Sequence, residues 1–225
     1  MFEHGLISME VNQHWKIQYI KDDEKYPFLL FDNWYTPDEE KVVWIELDFY
    51  SALPKEHTQR AETGPVVARY ENGRSYSKSF RHYPLGIFSK EGQKYSSILN
   101  TMYKFKTTEF HEIVDFCVPH SRSFHTHNVD STTISYYEDS DYYDSHHDSS
   151  QWTFLCWFFR EPKKFDGGNL IMNEPNVKIG LKHNRAIFFP SCFLHQVEPI
   201  KFRGEEMEAN SGRYTITHWF WNHPL

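Results

Sequence analysis

The sequence predicts a mainly β protein, a sandwich or barrel with flanking helices, and three observations carry that expectation. From about residue 131 onward the chain falls into short aromatic and β-branched runs: TTISYYE (132–138), QWTFLCWFF (151–159), NLIM (169–172), RAIFFP (185–190), FLHQV (193–197) and RYTITHWFW (213–221). Turn residues such as Asp166-Gly167-Gly168 separate these runs, and short strands punctuated in this way suit a sandwich or barrel. Helix signals are confined to the N-terminal half.

Taken in order, WKIQYI (15–20) and PFLLFDNW (27–34) have strand-like enrichment in aromatic and β-branched residues. A helix then starts at Thr36-Pro37-Asp38-Glu39, with Thr36 as N-cap, Pro37 at the first helical position and Glu39 completing a capping box. A second helix is expected around 91–106, where Tyr95, Ile98, Leu99, Met102 and Phe105 recur at three- and four-residue steps. That stripe suits core packing better than a cofactor site. The Asp166-Gly167-Gly168 stretch reads as a hairpin turn, since it lacks the lysine and following helix of a phosphate loop. Residues 200–212 (IKFRGEEMEANSG) read as a long polar loop, of the kind that is either a functional lid or disordered, with a mobile loop the preferred reading. One domain spanning 1–225 is expected, with 1–130 as N-terminal strands and supporting helices and 131–225 carrying the catalytic motifs.

Composition narrows the class. Hydrophobic residues make up 39% of the 225-residue chain and aromatics 18%, enough apolar material for a substantial core. The net charge of -7 offers no basic footprint, which disfavours nucleic acid as a partner. Three cysteines, without C-x-x-C spacing, fit neither a disulfide framework nor a zinc site and point to a reducing, cytoplasmic compartment. The N-terminus lacks the pattern of a secretory signal, and no run of 18 apolar residues would cross a membrane.

Fourteen histidines need a sorting principle. His146-His147-Asp148 supplies an H-x-D arrangement in which alternate side chains of an extended segment converge while His147 points away. His195, within the apolar FLHQV run, is the best third ligand. Two imidazoles and one carboxylate on one face of an ion form the ligand set of oxygen-activating non-haem iron(II), leaving positions for a chelating cosubstrate and dioxygen. H-x-D alone is weak, since a solvated pair in an acidic loop is the bland alternative. The fourth element strengthens it. Arg213 opens a strongly apolar run, where a buried charge needs an anionic partner. Its planar fork suits a carboxylate. Thr215, two residues on, shares its strand face and can add a hydroxyl donor. A structural ion pair with one of the 31 acids is the alternative for Arg213.

Rival clusters are weaker. Phe124-His125-Thr126-His127, with His120 or an acid nearby, lacks a second zinc ligand pair at suitable spacing. Cys192 and His195 lie three residues apart, which puts them on opposite faces of a strand and spoils a nucleophile–base pair. The acidic run Glu138–Asp148 suits a solvated loop, with a basic substrate or second cation as the sharper alternative.

From Ile134 to Trp221 the ordered landmarks are Tyr136-Tyr137, Tyr143, H-x-D at 146–148, TFLCWFF (153–159), GGNL (167–170), RAIFFP, HQVEP (195–199) and GRYTITHW (212–219). In this order the chain resembles the prolyl 4-hydroxylase-like branch of the Fe(II)/2-oxoglutarate-dependent dioxygenases. The resemblance implies a double-stranded β-helix (jelly-roll, cupin-like) core with iron held by His146, Asp148 and His195. It further implies that Arg213 pairs with the distal carboxylate of 2-oxoglutarate and that Tyr136 lines the same pocket, with Tyr143 and Trp157 as further lining residues. The implied activity is hydroxylation of a C–H bond with dioxygen and 2-oxoglutarate, ascorbate being a candidate reductant. The substrate it suggests is a prolyl or other protein side chain, with a free amino acid or other small molecule next. Dealkylation of nucleic acid or an inactive jelly-roll binding module are further alternatives. The sequence departs from the family pattern in the acidic loop EDSDYYDS, in Phe158-Phe159, and in the insertion at 200–212; these changes bear on substrate more than on iron.

Overall fold

The computed structural model describes residues 6–10, 14–20, 27–53, 59–60, 70–118, 121–174, 176–204 and 210–223. Sixteen described strands follow in chain order: β1 (Leu6–Glu10), β2 (Lys16–Ile20), β3 (Leu29–Asp32), β4 (Gln59–Arg60), β5 (Ser77–Lys78), β6 (Phe80–His82), β7 (Val129–Tyr137), β8 (Tyr142–His146), β9 (Trp152–Phe158), β10 (Phe165–Gly167), β11 (Leu170–Met172), β12 (Val177–Ile179), β13 (Arg185–Pro190), β14 (His195–Val197), β15 (Ile200–Phe202) and β16 (Arg213–Trp221).

They pair into a nine-stranded sheet ordered β1-β2-β3-β13-β9-β16-β7-β6-β4, a five-stranded sheet ordered β12-β11-β14-β8-β5, and the pair β10-β15. Every pairing is antiparallel. This matches the sandwich or barrel that the runs after residue 131 predict and the jelly-roll core that the resemblance implies. The N-terminal half does more than brace it, because β3 pairs with β13 and β6 with β7.

Two apolar clusters divide the interior along the faces of the large sheet. One face packs β3, β7, β9, β13 and β16 against helices Pro37–Ala52 and Thr108–Cys117 through Trp34, Val43, Leu47, Phe105, Phe110, Phe154, Ile216 and Phe220. The other face meets the five-stranded sheet through Trp157, Leu170, Met172, Ile187, Phe189 and Val197. Strand alternation sorts the residues: in β16, Tyr214, Ile216 and Phe220 go to the first cluster while Arg213, Thr215 and Thr217 face the second side.

The first helix begins as expected: Glu39 N–H donates to the Thr36 hydroxyl, and Thr36 N–H donates to the Glu39 carboxylate. The expected helix over 91–106 is instead three short turns, Gly92–Tyr95, Ser97–Asn100 and Thr101–Lys106. Ser96, buried and extended between the first two, breaks the run. Its hydroxyl and the Ile98 N–H both donate to the buried Glu46 carboxylate of the first helix. Saturating a buried charge therefore overrides the periodicity. Ile98 and Phe105 do enter the core, but Tyr95 is 75% exposed.

Asp166-Gly167-Gly168 is not a hairpin turn, because β10 pairs with β15 and β11 with β12 and β14. Both glycines have positive φ (72° and 71°). A Cβ at Gly167 would fall 2.1 Å from the Pro199 carbonyl, and one at Gly168 would touch the Arg213 stem at 3.4 Å. The stretch 200–212 is also more ordered at its start than expected, since β15 occupies its first three residues; 205–209 lie outside the described residues.

Candidate active site

β8 and β14 pair with His195 opposite His146, which brings two imidazoles from separate strands to one end of the five-stranded sheet. Asp148 lies just past β8, where its N–H donates to the Ser191 carbonyl (3.1 Å) and turns the carboxylate back toward the rings. His146 Nε2 stands 3.6 Å from Asp148 Oδ1, and His195 Nε2 3.7 Å from Oδ2. One ligand atom from each residue fits within a 4.8 Å circle. His147 is exposed, as the alternation requires.

The ligand atoms are aimed by their neighbours. Each histidine has its Nδ1 on a backbone carbonyl, His146 on Asp144 (2.7 Å) and His195 on Phe193 (2.8 Å), which leaves Nε2 with its lone pair facing inward. Tyr143 stacks flat on the His146 ring at 3.6 Å. Thr153 donates to Asp148 Oδ2 (2.7 Å) and is itself tied to Ser191, which joins Ser150. Burial, reinforced by the adjacent His146, lowers His195 to about 4, so the ring is neutral at physiological pH. Burial alone would raise Asp148; His146, His195 and the Thr153 hydroxyl outweigh it and bring the carboxyl down to about 2. A neutral imidazole at His195 and an ionised carboxylate at Asp148 are the forms that bind a divalent cation.

Arg213 opens β16 at the floor of the same cavity, which holds about 480 Å³ with its open mouth. It is fully buried, and none of its three guanidinium nitrogens has a hydrogen-bond partner. The Thr215 hydroxyl and the Trp157 indole N–H are likewise buried and unpartnered. Trp157 pairs across from Thr215, and the Arg213 guanidinium sits 4.9 Å from the Tyr137 ring and 5.8 Å from the Trp157 ring. The donors and a buried cation without an anion on one wall ask for a dicarboxylate's free end, because burial without partners is costly. The residues fit the cosubstrate, and the structural ion pair weighed for Arg213 is absent among the described residues.

Two expected lining residues stand elsewhere: Trp157 is fully buried beside Arg213, behind the residues that line the cavity, and Tyr136 lies on the other face of the sheet. Tyr136 pairs with Tyr214, so both point into the helix-facing core. Its hydroxyl accepts from Gly212 N–H (3.0 Å), and its ring packs on Tyr214 at 4.6 Å. Tyr137, one residue later and opposite Arg213, takes the pocket position. The sequence reading also passed over Arg81 and Trp219, which line the cavity. Only the alternation of Arg81 with Phe80 and His82 would have marked the first. His125 is held by Asp115 (2.7 Å) and His111 (3.1 Å), away from the triad, and His120 lies outside the described residues. Cys192 is exposed and Cys117 and Cys156 are buried as free thiols.

A jelly roll with a two-histidine, one-carboxylate cluster beside a buried arginine is an arrangement suited to non-haem iron and a 2-oxo acid. Residues 132–221 match the family model described as the 2OG-Fe(II) oxygenase superfamily. That match covers 90 of the 225 residues, and iron(II), 2-oxoglutarate and dioxygen are that superfamily's cofactors. A PKHD-type hydroxylase from Crocosphaera subtropica is 31% identical over 90 residues, covering 35% of this chain and 40% of that protein's length. In structure, the chain is similar to a prolyl-4-hydroxylase from Pseudomonas putida (TM-score 0.56, 12% identity, 90% of this chain and 96% of that one). It is also similar to an oxidoreductase of the 2OG-Fe(II) oxygenase family from Burkholderia pseudomallei (0.53, 9%, 87% and 85%). At these identities the likeness establishes the fold. No described helix is long and apolar enough to cross a membrane.

Proposed function

We propose that this protein hydroxylates a substrate C–H bond as an iron(II)- and 2-oxoglutarate-dependent dioxygenase. The observation that carries the reading is the juxtaposition of the His146–Asp148–His195 cluster with the unpartnered, fully buried Arg213 guanidinium. His146, Asp148 and His195 would hold the iron, and Arg213, Thr215 and Trp157 the far carboxylate of the cosubstrate. When bound, iron(II) with 2-oxoglutarate and dioxygen supplies oxidative decarboxylation to succinate and carbon dioxide, coupled to hydroxylation.

The chain's part is positional. Arg213 and Thr215 hold the cosubstrate from the floor, so its reacting end can meet the cluster only one way round. Tyr137, which lines the cavity, and the buried rings of Trp157 and Phe189 in the same apolar cluster keep bulk water off that end. Tyr143, stacked on His146, fixes the ring plane and borders the mouth.

Likeness to the prolyl 4-hydroxylase branch supports a prolyl or other protein side chain as substrate. A second reading, a free amino acid or other small molecule, is favoured by a second arginine in the pocket, Arg81. Succinate release tests the activity. Wild-type protein with iron(II), 2-oxoglutarate and a panel of peptides and amino acids should release succinate faster with one of them. Folded protein that binds no 2-oxoglutarate and releases no succinate would sink the reading. If only proline-free compounds stimulate turnover, the prolyl suggestion is wrong.

A further inference from the structure

We propose that Arg81 is a specificity-determining residue that binds a carboxylate of the substrate; the inference rests on the oxygenase reading above. Arg81 sits in β6 opposite Ser135 of β7, and so shares the cavity face with Ser135, Tyr137 and Arg213. Its guanidinium lies 5.3 Å from the Tyr143 ring, which in turn stacks on His146, and all three residues line the same cavity. Its guanidinium donates to the Ser77 hydroxyl (3.1 Å), a neutral group on β5, and engages the Tyr143 hydroxyl, also neutral. Among the described residues it has no ion pair, and the neighbours that act most on its charge are the tyrosines Tyr143, Tyr137 and Tyr83. Acids at the same end of the barrel are already engaged: Asp144 with Arg74, and Asp141 with Lys78 at 3.3 Å.

Charge balance then decides what Arg81 is for. In the loaded site, the charges of iron(II) and Arg213 are matched by Asp148 and the two carboxylates of 2-oxoglutarate. Arg213 takes one of those carboxylates and the metal cluster takes the other. Arg81 remains as a surplus positive charge beside the reacting end, in a partly desolvated site where an unmatched charge is costly. A planar donor fork lined by tyrosines suits a carboxylate bound through two hydrogen bonds. A free amino acid's α-carboxylate and an acidic side chain of a peptide both supply that chemistry.

The test measures 2-oxoglutarate turnover and, without dioxygen, calorimetric binding for wild type, Arg81→Met and Arg81→Lys. The probes are free L-amino acids, the same amino acids as amides, and C-terminally amidated peptides with Asp or Glu against Asn or Gln. In wild type, a carboxylate-bearing compound should stimulate turnover and its amide should not. Arg81→Met should raise KM and Kd for that compound about 10- to 100-fold, the range for a lost hydrogen bond to a charged group, and erase the preference for acid over amide. Arg81→Lys should keep the preference. Response to the free amino acids would identify an α-carboxylate, and response to the acidic peptides a side-chain carboxylate. Equal response to acids and amides in wild type would overturn the proposal. So would a tenfold or greater loss of 2-oxoglutarate affinity in Arg81→Met, which would make Arg81 a cosubstrate ligand. Wild type that binds neither iron(II) nor 2-oxoglutarate would instead overturn the oxygenase reading, and this inference with it.

Discussion

The two faces of strands β7, β9 and β16 are built to opposite rules. Toward the helices, Ile134, Phe154, Phe158, Ile216 and Phe220 pack into one apolar cluster. His218 is the polar exception on that face, with its Nδ1 on the Thr132 hydroxyl at 2.9 Å and its Nε2 buried without a partner. Toward the five-stranded sheet, the same strands present Arg213, Thr215 and Trp157 with donors that nothing in the described chain accepts. One face spends its residues on stability, and the other holds unsatisfied groups in place for a ligand. A one-residue step along β16 separates the two roles, so substitutions of neighbours should have unrelated consequences.

Arg213→Met should show the largest effect on the pocket side. Removing a buried cation lowers 2-oxoglutarate affinity by about 30-fold or more, the usual cost of breaking a buried charge pair. It leaves the melting temperature of the ligand-free protein unchanged or raised, because an uncompensated charge is gone. Titration calorimetry and thermal melting read the two quantities, and a large loss of stability without ligand would contradict the comparison. On the opposite face, Phe154→Ala removes a fully buried ring packed on Trp34 at 4.6 Å. It should cost about 3–5 kcal/mol in denaturant unfolding and leave the affinity of the folded fraction intact.

Adjacent tyrosines sharpen the same point with smaller effects. Tyr136→Phe loses the hydrogen bond to Gly212 N–H and should cost about 1 kcal/mol of stability without weakening 2-oxoglutarate. Tyr137→Phe, beside Arg213, should change 2-oxoglutarate affinity more than stability. If the two variants behaved the other way round in calorimetry and melting, the assignment of faces would fail.

Acid should act through buried histidines on both faces, since burial holds His195 on the pocket side at about 4 as well as two rings on the core face. Burial holds His218 at about 3 and His82 at about 4, both below the ordinary value of about 6.5 for an unfolded chain. Between those values the unfolded chain binds protons that the folded one does not, so stability rises with pH in that window. The melting temperature should be flat above about pH 6.5 and fall steadily as pH drops toward 4. A flat profile across that range would show that these rings are not the acid-sensitive groups.

Much of the site was legible because its chemistry demands particular residue types in order: H-x-D, a histidine in an apolar strand, then an arginine stranded in another. What was not legible depends on partners distant in sequence. Counting from Tyr136 or Tyr137 places a tyrosine near the pocket, but which one enters it is set by pairing with Tyr214 or Arg213. The 91–106 stripe has helical spacing, yet Glu46 captures Ser96 and Ile98 and divides it. The glycines at 167–168 read as a turn, while their use is to let the chain pass Pro199 and the Arg213 stem. Arg81 sits in a three-residue strand too short to announce a face.

The most direct measurement is the visible spectrum of anaerobic protein titrated with iron(II) and then 2-oxoglutarate. Wild type should develop a weak charge-transfer band that is absent from Asp148→Ala and His195→Ala. A well-folded wild type that shows no band at saturating iron(II) and 2-oxoglutarate would contradict the assignment of the His146–Asp148–His195 cluster and Arg213 to one cosubstrate-binding centre.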